Sequence, residues 1–283
     1  MMSEREDERA SPPPKGADCS SAGESPGRVR CLRGGLMSDT DWVDPLARLR
    51  VVLIATSHPG NIGAAARALH TMGLSRLILV RPGHFPSDEA TAMAAGGAKL
   101  LASASIVGSL AEALRGTVGS IAFTARARRG NDRLLPLAEV RADIIAQAQR
   151  GEVALVFGNE QAGLSNEELA LCGQLATIPA SPTYPVLNLA AAVQIVCYEL
   201  RQAACAPGTL GRERMPLARF EDTEAWLARL RTLLAGTDLP DPAHADRHMV
   251  RLRRLLLRAR PHADELRLLH GVLSAWERRT NSD

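Results

Sequence analysis

"VVLIATSHPGNIGAAARALHTMGLSRLILV", residues 51–80, carries the pattern on which the fold turns. Residues 51–55 are a short unbroken apolar run rich in β-branched side chains, which reads as a strand. After a loop containing Gly60, apolar residues recur at Ile62, Ala65, Ala66, Leu69 and Met72, the spacing of one helix face. A second short apolar run, 76–80, follows at once. Strands without polar alternation are buried on both faces, and a helix between two of them makes the pair parallel.

The same alternation continues. Runs at 119–124, 153–157 and 175–179 read as further strands, with helical patterns at 109–115, 137–149 and 188–202. The fold class is therefore α/β: a parallel sheet with helices on both faces, whose ligand belongs beyond the carboxyl ends of the strands. At 283 residues and 46% hydrophobic content the chain can bury one substantial domain plus something smaller. Residues 1–44 are rich in Pro, Ser, Gly and charge without apolar periodicity, and read as a disordered extension rather than a secretory or transit signal. Met37 stands as a second candidate start. Five cysteines, with no C-x-x-C pair, fit a reducing cytosolic compartment and no structural metal. No apolar run reaches the roughly 20 residues of a membrane span. A net charge of +3 decides nothing about nucleic acid.

Three segments carry chemistry. In the first, Asn61 can cap the helix that follows, and Arg67 falls about 140° around the helix from Ile62, clear of the core. Its side chain should lean back over Gly63 toward the loop mouth; a plain solvent-facing arginine fits the same spacing. The second, "VFGNEQAGLSNEEL" (156–169), breaks a strand at Gly158, turns through Gly163, and offers Ser165 and Glu168 as a capping box for the next helix. It is neither the G-x-G-x-x-G fingerprint nor a Walker A loop, so NAD and ATP lack support; an ordinary strand–turn–helix connection remains open. In the third, "IPASPTYPVLNLAAAVQIVCYELR" (178–201), Pro179, Pro182 and Pro185 impose an irregular path before Asn188 starts a helix with a buried stripe at Leu189, Ala192, Val193, Val196 and Leu200.

Beyond a linker at 206–216, residues 217–283 are helical in pattern, with breaks near 235–242 and at Pro261. Within "RHMVRLRRLLLRARP" (247–261), arginines 247, 251, 253, 254, 258 and 260 alternate with apolar residues, so one face can pack while the other is either solvated or meets phosphate.

In combination and order these segments resemble the SPOUT superfamily of RNA methyltransferases, and within it the TrmH-like 2′-O-ribose methyltransferases. The resemblance rests on N-x-G-x-x-x-R as Asn61, Gly63 and Arg67, on F-G-x-E-x-x-G-L as Phe157 to Leu164, and on L-N-L-A as Leu187 to Ala190, and it runs from about Leu49 to Arg279. It implies a deep trefoil knot at the end of an α/β domain spanning 45–205, followed by a helical accessory domain at 217–283. It implies S-adenosylmethionine as cofactor, held by Thr124, Ala125, Arg126, Gly158, Glu160, Gly163, Ile178, Pro185, Val186 and Leu187, with Glu160 and Gly163 shaping the loop more than reacting. Asn61, Arg67 and Asn188 match the catalytic positions.

The resemblance further implies a cytoplasmic, metal-free homodimer paired through its knot helices. The substrate would be tRNA, at a cytidine or uridine in the first position of the anticodon loop, nucleotide 32. Arg251, Arg253, Arg254 and Arg258 would be RNA-binding. One departure is Val186, where family members often have serine: no side-chain hydroxyl is available there. A catalytically silent RNA-binding protein is the rival reading, and a different nucleotide-binding α/β enzyme a third.

Overall fold

The computed structural model describes residues 44–125, 134–206, 215–235 and 245–280. The extension at 1–43, Arg126 and most of the expected linker lie outside them. In chain order the elements are β1 (Leu49–Ile54), α1 (Pro59–Met72), β2 (Arg76–Val80), α2 (Asp88–Ala94), α3 (Ala98–Ala102), β3 (Ser105–Val107), α4 (Leu110–Ala113) and β4 (Thr117–Phe123). There follow β5 (Leu134–Pro136), α5 (Leu137–Ala148), β6 (Glu152–Phe157), α6 (Asn166–Ala170), β7 (Gln174–Thr177) and α7 (Leu189–Cys205). Three helices end the chain: α8 (Phe220–Leu234), α9 (Ala245–Ala259) and α10 (Ala263–Thr280).

All strand pairs are parallel, in the order β3-β2-β1-β6-β4-β7-β5. From β1 the chain steps outward to β2 and β3, then crosses to the other half for β4, so the order reverses next to β1 and β6. That reversal is where an open α/β sheet leaves a crevice at its carboxyl edge. Side chains alternate between the faces. Val51 and Leu53 join Leu155, Phe157 and Ile121 beneath α1, α5 and α7, whereas Val52 and Ile54 join Ala154, Val156, Leu114 and Leu169 on the opposite face. Phe220 of α8 is buried in that second core, and Leu257 of α9 packs against it. The C-terminal helices thus cover part of the sheet.

An ionic joint adds to this cover. Arg260, at φ +50 just past α9, donates to both carboxylate oxygens of Asp143 on α5 (2.8 and 2.9 Å), and Gln147 and Gln174 donate to the same carboxylate. Burial pushes the Asp143 carboxyl up, but these hydrogen bonds outweigh it and hold the group below the ordinary range.

Gly63 departs from the reading of the sequence. A Cβ there would lie 2.1 Å from the Ala90 carbonyl oxygen and 2.9 Å from Met93 Cβ, so the bare face of α1 admits α2 and gives no room to Arg67. Gly63→Ala should therefore lower stability by about 1–3 kcal/mol through overpacking, although alanine is the better helix former. Gly271, exposed in α10 with nothing near its missing Cβ, should gain about 0.5–1 kcal/mol on the same substitution. Urea denaturation of both variants checks the pair; a stabilised Gly63→Ala would contradict the close approach of α1 and α2.

Candidate active site

The loop from β1 into α1 is fixed from outside itself. Helix α1 begins earlier than its apolar stripe suggests: Pro59 takes the first turn, where its preset φ suits a helix and its missing N–H costs nothing, and His58 at the cap position makes no side-chain capping bond. Asn61 is therefore inside the first turn and does not cap it. The entry to the helix is held instead by Glu160, roughly a hundred residues away. Glu160 Oε2 accepts from the Ser57 amide (3.1 Å) and hydroxyl (3.0 Å), and Oε1 accepts from the His58 amide (3.3 Å) and Asn61 Nδ2 (2.9 Å). Burial pushes the Glu160 carboxyl up, but hydrogen bonds from Asn61 and Ser57 dominate and leave it below the usual carboxylate value.

Glu160 is presented by a loop folded back on itself. Asn159 Oδ1 accepts from the amides of Gln161 (2.9 Å) and Ala162 (3.2 Å), while its Nδ2 donates to the Ala55 carbonyl (2.6 Å). A Cβ on Gly158 would sit 2.3 Å from the Gly163 carbonyl carbon, and Gly163 turns at φ +68, so both glycines answer to backbone geometry. The expected capping box is present: Ser165 Oγ accepts from the Glu168 amide and Glu168 Oε2 from the Ser165 amide.

Asn188 completes the mouth. As the cap of α7 its Oδ1 accepts from the amides of Ala190 (2.9 Å) and Ala191 (3.2 Å), and its Nδ2 donates to Asn61 Oδ1 (3.0 Å). Asn61 therefore stands between Glu160 and Asn188 in one chain of hydrogen bonds. Each amide keeps unused capacity: a second lone pair on Asn61 Oδ1, and a second hydrogen on each Nδ2.

Beside this chain, past the ends of β4, β6 and β7, lies an open cleft of about 850 Å³. The Phe123 and Phe157 rings stack there with centroids 4.9 Å apart. Nine of the ten residues expected to hold a cofactor, Thr124, Ala125, Gly158, Glu160, Gly163, Ile178, Pro185, Val186 and Leu187, line this one cleft; the tenth, Arg126, is outside the described residues. Phe123, Phe157, Asn159, Thr177, Leu189 and Ala192 also line it and were not singled out as ligand-binding; their place at strand ends and on the inner face of α7 was the available signal.

Among the described lining residues none is basic, and the single carboxylate is spent on the α1 loop. Such a lining suits an uncharged ring and a cationic centre better than a polyphosphate.

The arginines fall elsewhere. Arg67 is exposed on α1, outside the cleft lining, and among the described residues its guanidinium has no hydrogen bond or ion pair. On α9, Arg251 and Arg258 are exposed and Arg254 is half-buried with a partner. Arg253 instead grips Glu224 of α8 through two bonds of 2.6 and 2.7 Å, so it ties two helices together and is not displayed to solvent as expected. Among the described residues no group of His, Cys, Asp and Glu could hold a metal, and no helix is long and apolar enough to cross a membrane.

The family described as SpoU rRNA Methylase matches residues 48–198, more than half the chain, and the chain belongs to that family of methylases. Residues 221–283 match the C-terminal domain of the tRNA methyltransferase TrmJ. A tRNA (cytidine/uridine-2′-O-)-methyltransferase TrmJ of Pectobacterium atrosepticum is 42% identical over 236 residues, spanning 82% of this chain and 98% of the relative. That of Yersinia enterocolitica is 41% identical over 239 residues, spanning 82% and 93%. The crystal structure of TrmJ from Z. mobilis superposes with a TM-score of 0.70 at 31% identity, covering 81% of this chain and 98% of that one.

Replacing Glu160 by Gln would turn an amide NH₂ toward donors and leave one side of the α1 loop unpaired, a loss of about 1–3 kcal/mol. Because the folded pKa is depressed, this stabilisation is full above the ordinary carboxylate value of 4.5 and disappears as pH falls through the lowered folded value. The gap in stability between wild type and Glu160→Gln should therefore be constant near neutrality and close in acid. Denaturant titrations across pH check this; a gap that widened in acid would contradict it.

Proposed function

We propose that the chain is an S-adenosylmethionine-dependent tRNA 2′-O-ribose methyltransferase acting on cytidine or uridine at nucleotide 32 of the anticodon loop. The observation that carries the reading is the Glu160–Asn61–Asn188 hydrogen-bond chain set at the mouth of a cleft whose described lining holds no basic residue and one committed carboxylate. The names of the TrmJ relatives supply the substrate class. The cleft residues fit the cofactor: Phe123, Phe157, Ile178 and Leu187 offer apolar surface for an adenosine, and the Gly158–Gly163 turn and the 185–187 segment expose backbone for its polar edge. When bound, S-adenosylmethionine supplies a methyl group already activated on a sulfonium.

The chain's own task is then to position a ribose 2′-hydroxyl and manage its proton. Asn61 Oδ1 has a lone pair to accept from the hydroxyl, and the second hydrogens of Asn61 and Asn188 can face the oxygen as negative charge develops. Asn188 is held by its own helix cap, and Asn61 by Glu160, so neither needs to reorganise. Arg67 has the role of clamping the adjacent phosphate and stabilising the alkoxide; a guanidinium stays protonated and is a poor base. Because Arg67 is exposed on α1, that role belongs to a site shared between the subunits of a homodimer pairing through α7, whose Tyr198 is 48% exposed.

The remaining assignments follow the same reading. Residues 45–205 form the catalytic unit, knotted by its last strand and helix threading through a loop, and α7 lies against α1 and α5. Residues 217–283 form the RNA-binding accessory unit, joined by 206–216, and the compartment is the cytoplasm.

Methyl transfer from labelled S-adenosylmethionine to unmodified tRNA, with mass spectrometry locating the product, tests the proposal. The expected result is a 2′-O-methyl at nucleotide 32, with Arg67→Ala lowering kcat/KM roughly a hundredfold or more. Near-normal turnover by Arg67→Lys would remove planar phosphate recognition from the mechanism. Binding of both ligands without transfer would make the chain a silent scaffold, the reading that Val186 favours.

On α9, Arg251→Gln and Arg258→Gln should each weaken tRNA binding across sequences and reduce the salt slope by about 1. Arg253→Gln should chiefly lower stability, because Arg253 is committed to Glu224. Filter binding over a salt series, with thermal melts, separates the two effects.

A further inference from the structure

Among the described residues Tyr184 is the most exposed of the large apolar and aromatic side chains, at 76%, in a chain with only nine aromatic side chains. Single exposed apolar residues are ordinary. Tyr184 differs in how it is held. Pro182 and Thr183 form the centre of a β-turn closed by the Tyr184 amide donating to the Ser181 carbonyl (3.1 Å), and the Ser181 and Thr183 hydroxyls bond across it (2.8 Å). Pro185 follows directly and restricts Tyr184 to extended backbone. The ring is thus presented by a stiff segment whose ordering is already met, the condition under which an exposed side chain binds most effectively.

Position supplies the occupant. Tyr184 immediately precedes the Pro185–Leu187 segment that lines the cofactor cleft, and that segment runs into Asn188, which touches Asn61. A ribose whose 2′-hydroxyl reaches the two asparagines carries its base on the neighbouring carbon, at the rim of the cleft. Val186, 43% exposed, extends the apolar edge there. We propose that Tyr184 is a substrate-binding residue whose ring stacks on the base of the nucleotide being methylated. The proposal rests on the functional reading above.

A stacking contact also accounts for base tolerance. Cytosine and uracil present opposite hydrogen-bonding groups at C4, so an edge-reading side chain would separate them, whereas a ring face accepts either. The names of the relatives couple the two nucleosides.

Full-length wild type, Tyr184→Phe, Tyr184→Leu and Tyr184→Ala are compared in methyl transfer to unmodified tRNA and in S-adenosylmethionine affinity. The expected result is that Phe retains activity, while Leu and Ala lose roughly ten- to a hundredfold in kcat/KM on cytidine and uridine substrates alike, with cofactor affinity unchanged. On tRNA abasic at the target nucleotide, wild type and Tyr184→Ala should become equal, since no base remains to stack.

Transfer unaffected by Tyr184→Ala, equal activity of Leu and Phe, or parallel loss of cofactor affinity would overturn the role of Tyr184 alone. So would a shift of Tyr184→Ala from dimer to monomer in sedimentation, which would assign the ring to a second copy. Absence of transfer by wild type would overturn the functional reading together with it.

Discussion

The carboxylate of Glu160 is the constraint on which the site depends. A helix N-terminus leaves several amides without partners, and a local cap side chain usually answers one of them. Helix α1 has no such cap, so its entry loop is held by an anion delivered from the turn after β6. The interaction is favoured twice, by hydrogen bonds to the Ser57 and His58 amides and by the positive end of the helix dipole. It joins the carboxyl ends of β1 and β6, the strands beside which the sheet order reverses, and through Asn61 it reaches the cap of α7. One half-buried charge thereby fixes the relative positions of three segments that sequence places far apart.

A consequence concerns the chemistry of the cleft. With Glu160 committed, its described walls carry no free charge and present chiefly ring surfaces, aliphatic side chains and backbone. The positive side chains are spent elsewhere. Arg253 and Arg260 are structural, bound to Glu224 and Asp143, while Arg67, Arg251 and Arg258 face solvent. The apolar rings of the cleft and the solvent-facing arginines thus lie on different surfaces.

Periodicity made the parallel α/β class, the five central strand runs and the buried stripes of α1 and α7 legible. It missed β3 and β5, which are three residues each and too short for a period, and α2, whose "DEATAMA" is largely polar or small. The cleft residues were legible only through motif resemblance, because glycine, proline and aliphatic side chains announce no chemistry in isolation. Two local inferences failed for tertiary reasons. Asn61 has the composition of a cap, but Pro59 moved the helix start and Glu160 recruited the amide. The space beside Gly63 was real, but Ala90 of α2 fills it. Arg253 was indistinguishable in sequence from its neighbours, since only the fold brings Glu224 within bidentate reach.

The C-terminal helices are more than an appended tether. Phe220 enters the core beneath β1 and β6, Leu257 packs on it, and the Arg260–Asp143 pair fastens the end of α9 to α5. Arg260 occupies a left-handed backbone conformation that a non-glycine residue adopts at a cost, and its two bonds to Asp143 help to hold it there. Asp143 also accepts from Gln174, the first residue of β7, the strand that leads into the 178–188 loop. The exposed arginines of α9 are therefore carried on a helix packed directly against the sheet whose carboxyl ends build the cleft. On the proposed function, a long RNA would meet these arginines and the cleft at a set separation, and that spacing would be part of how one nucleotide is chosen among many of the same base.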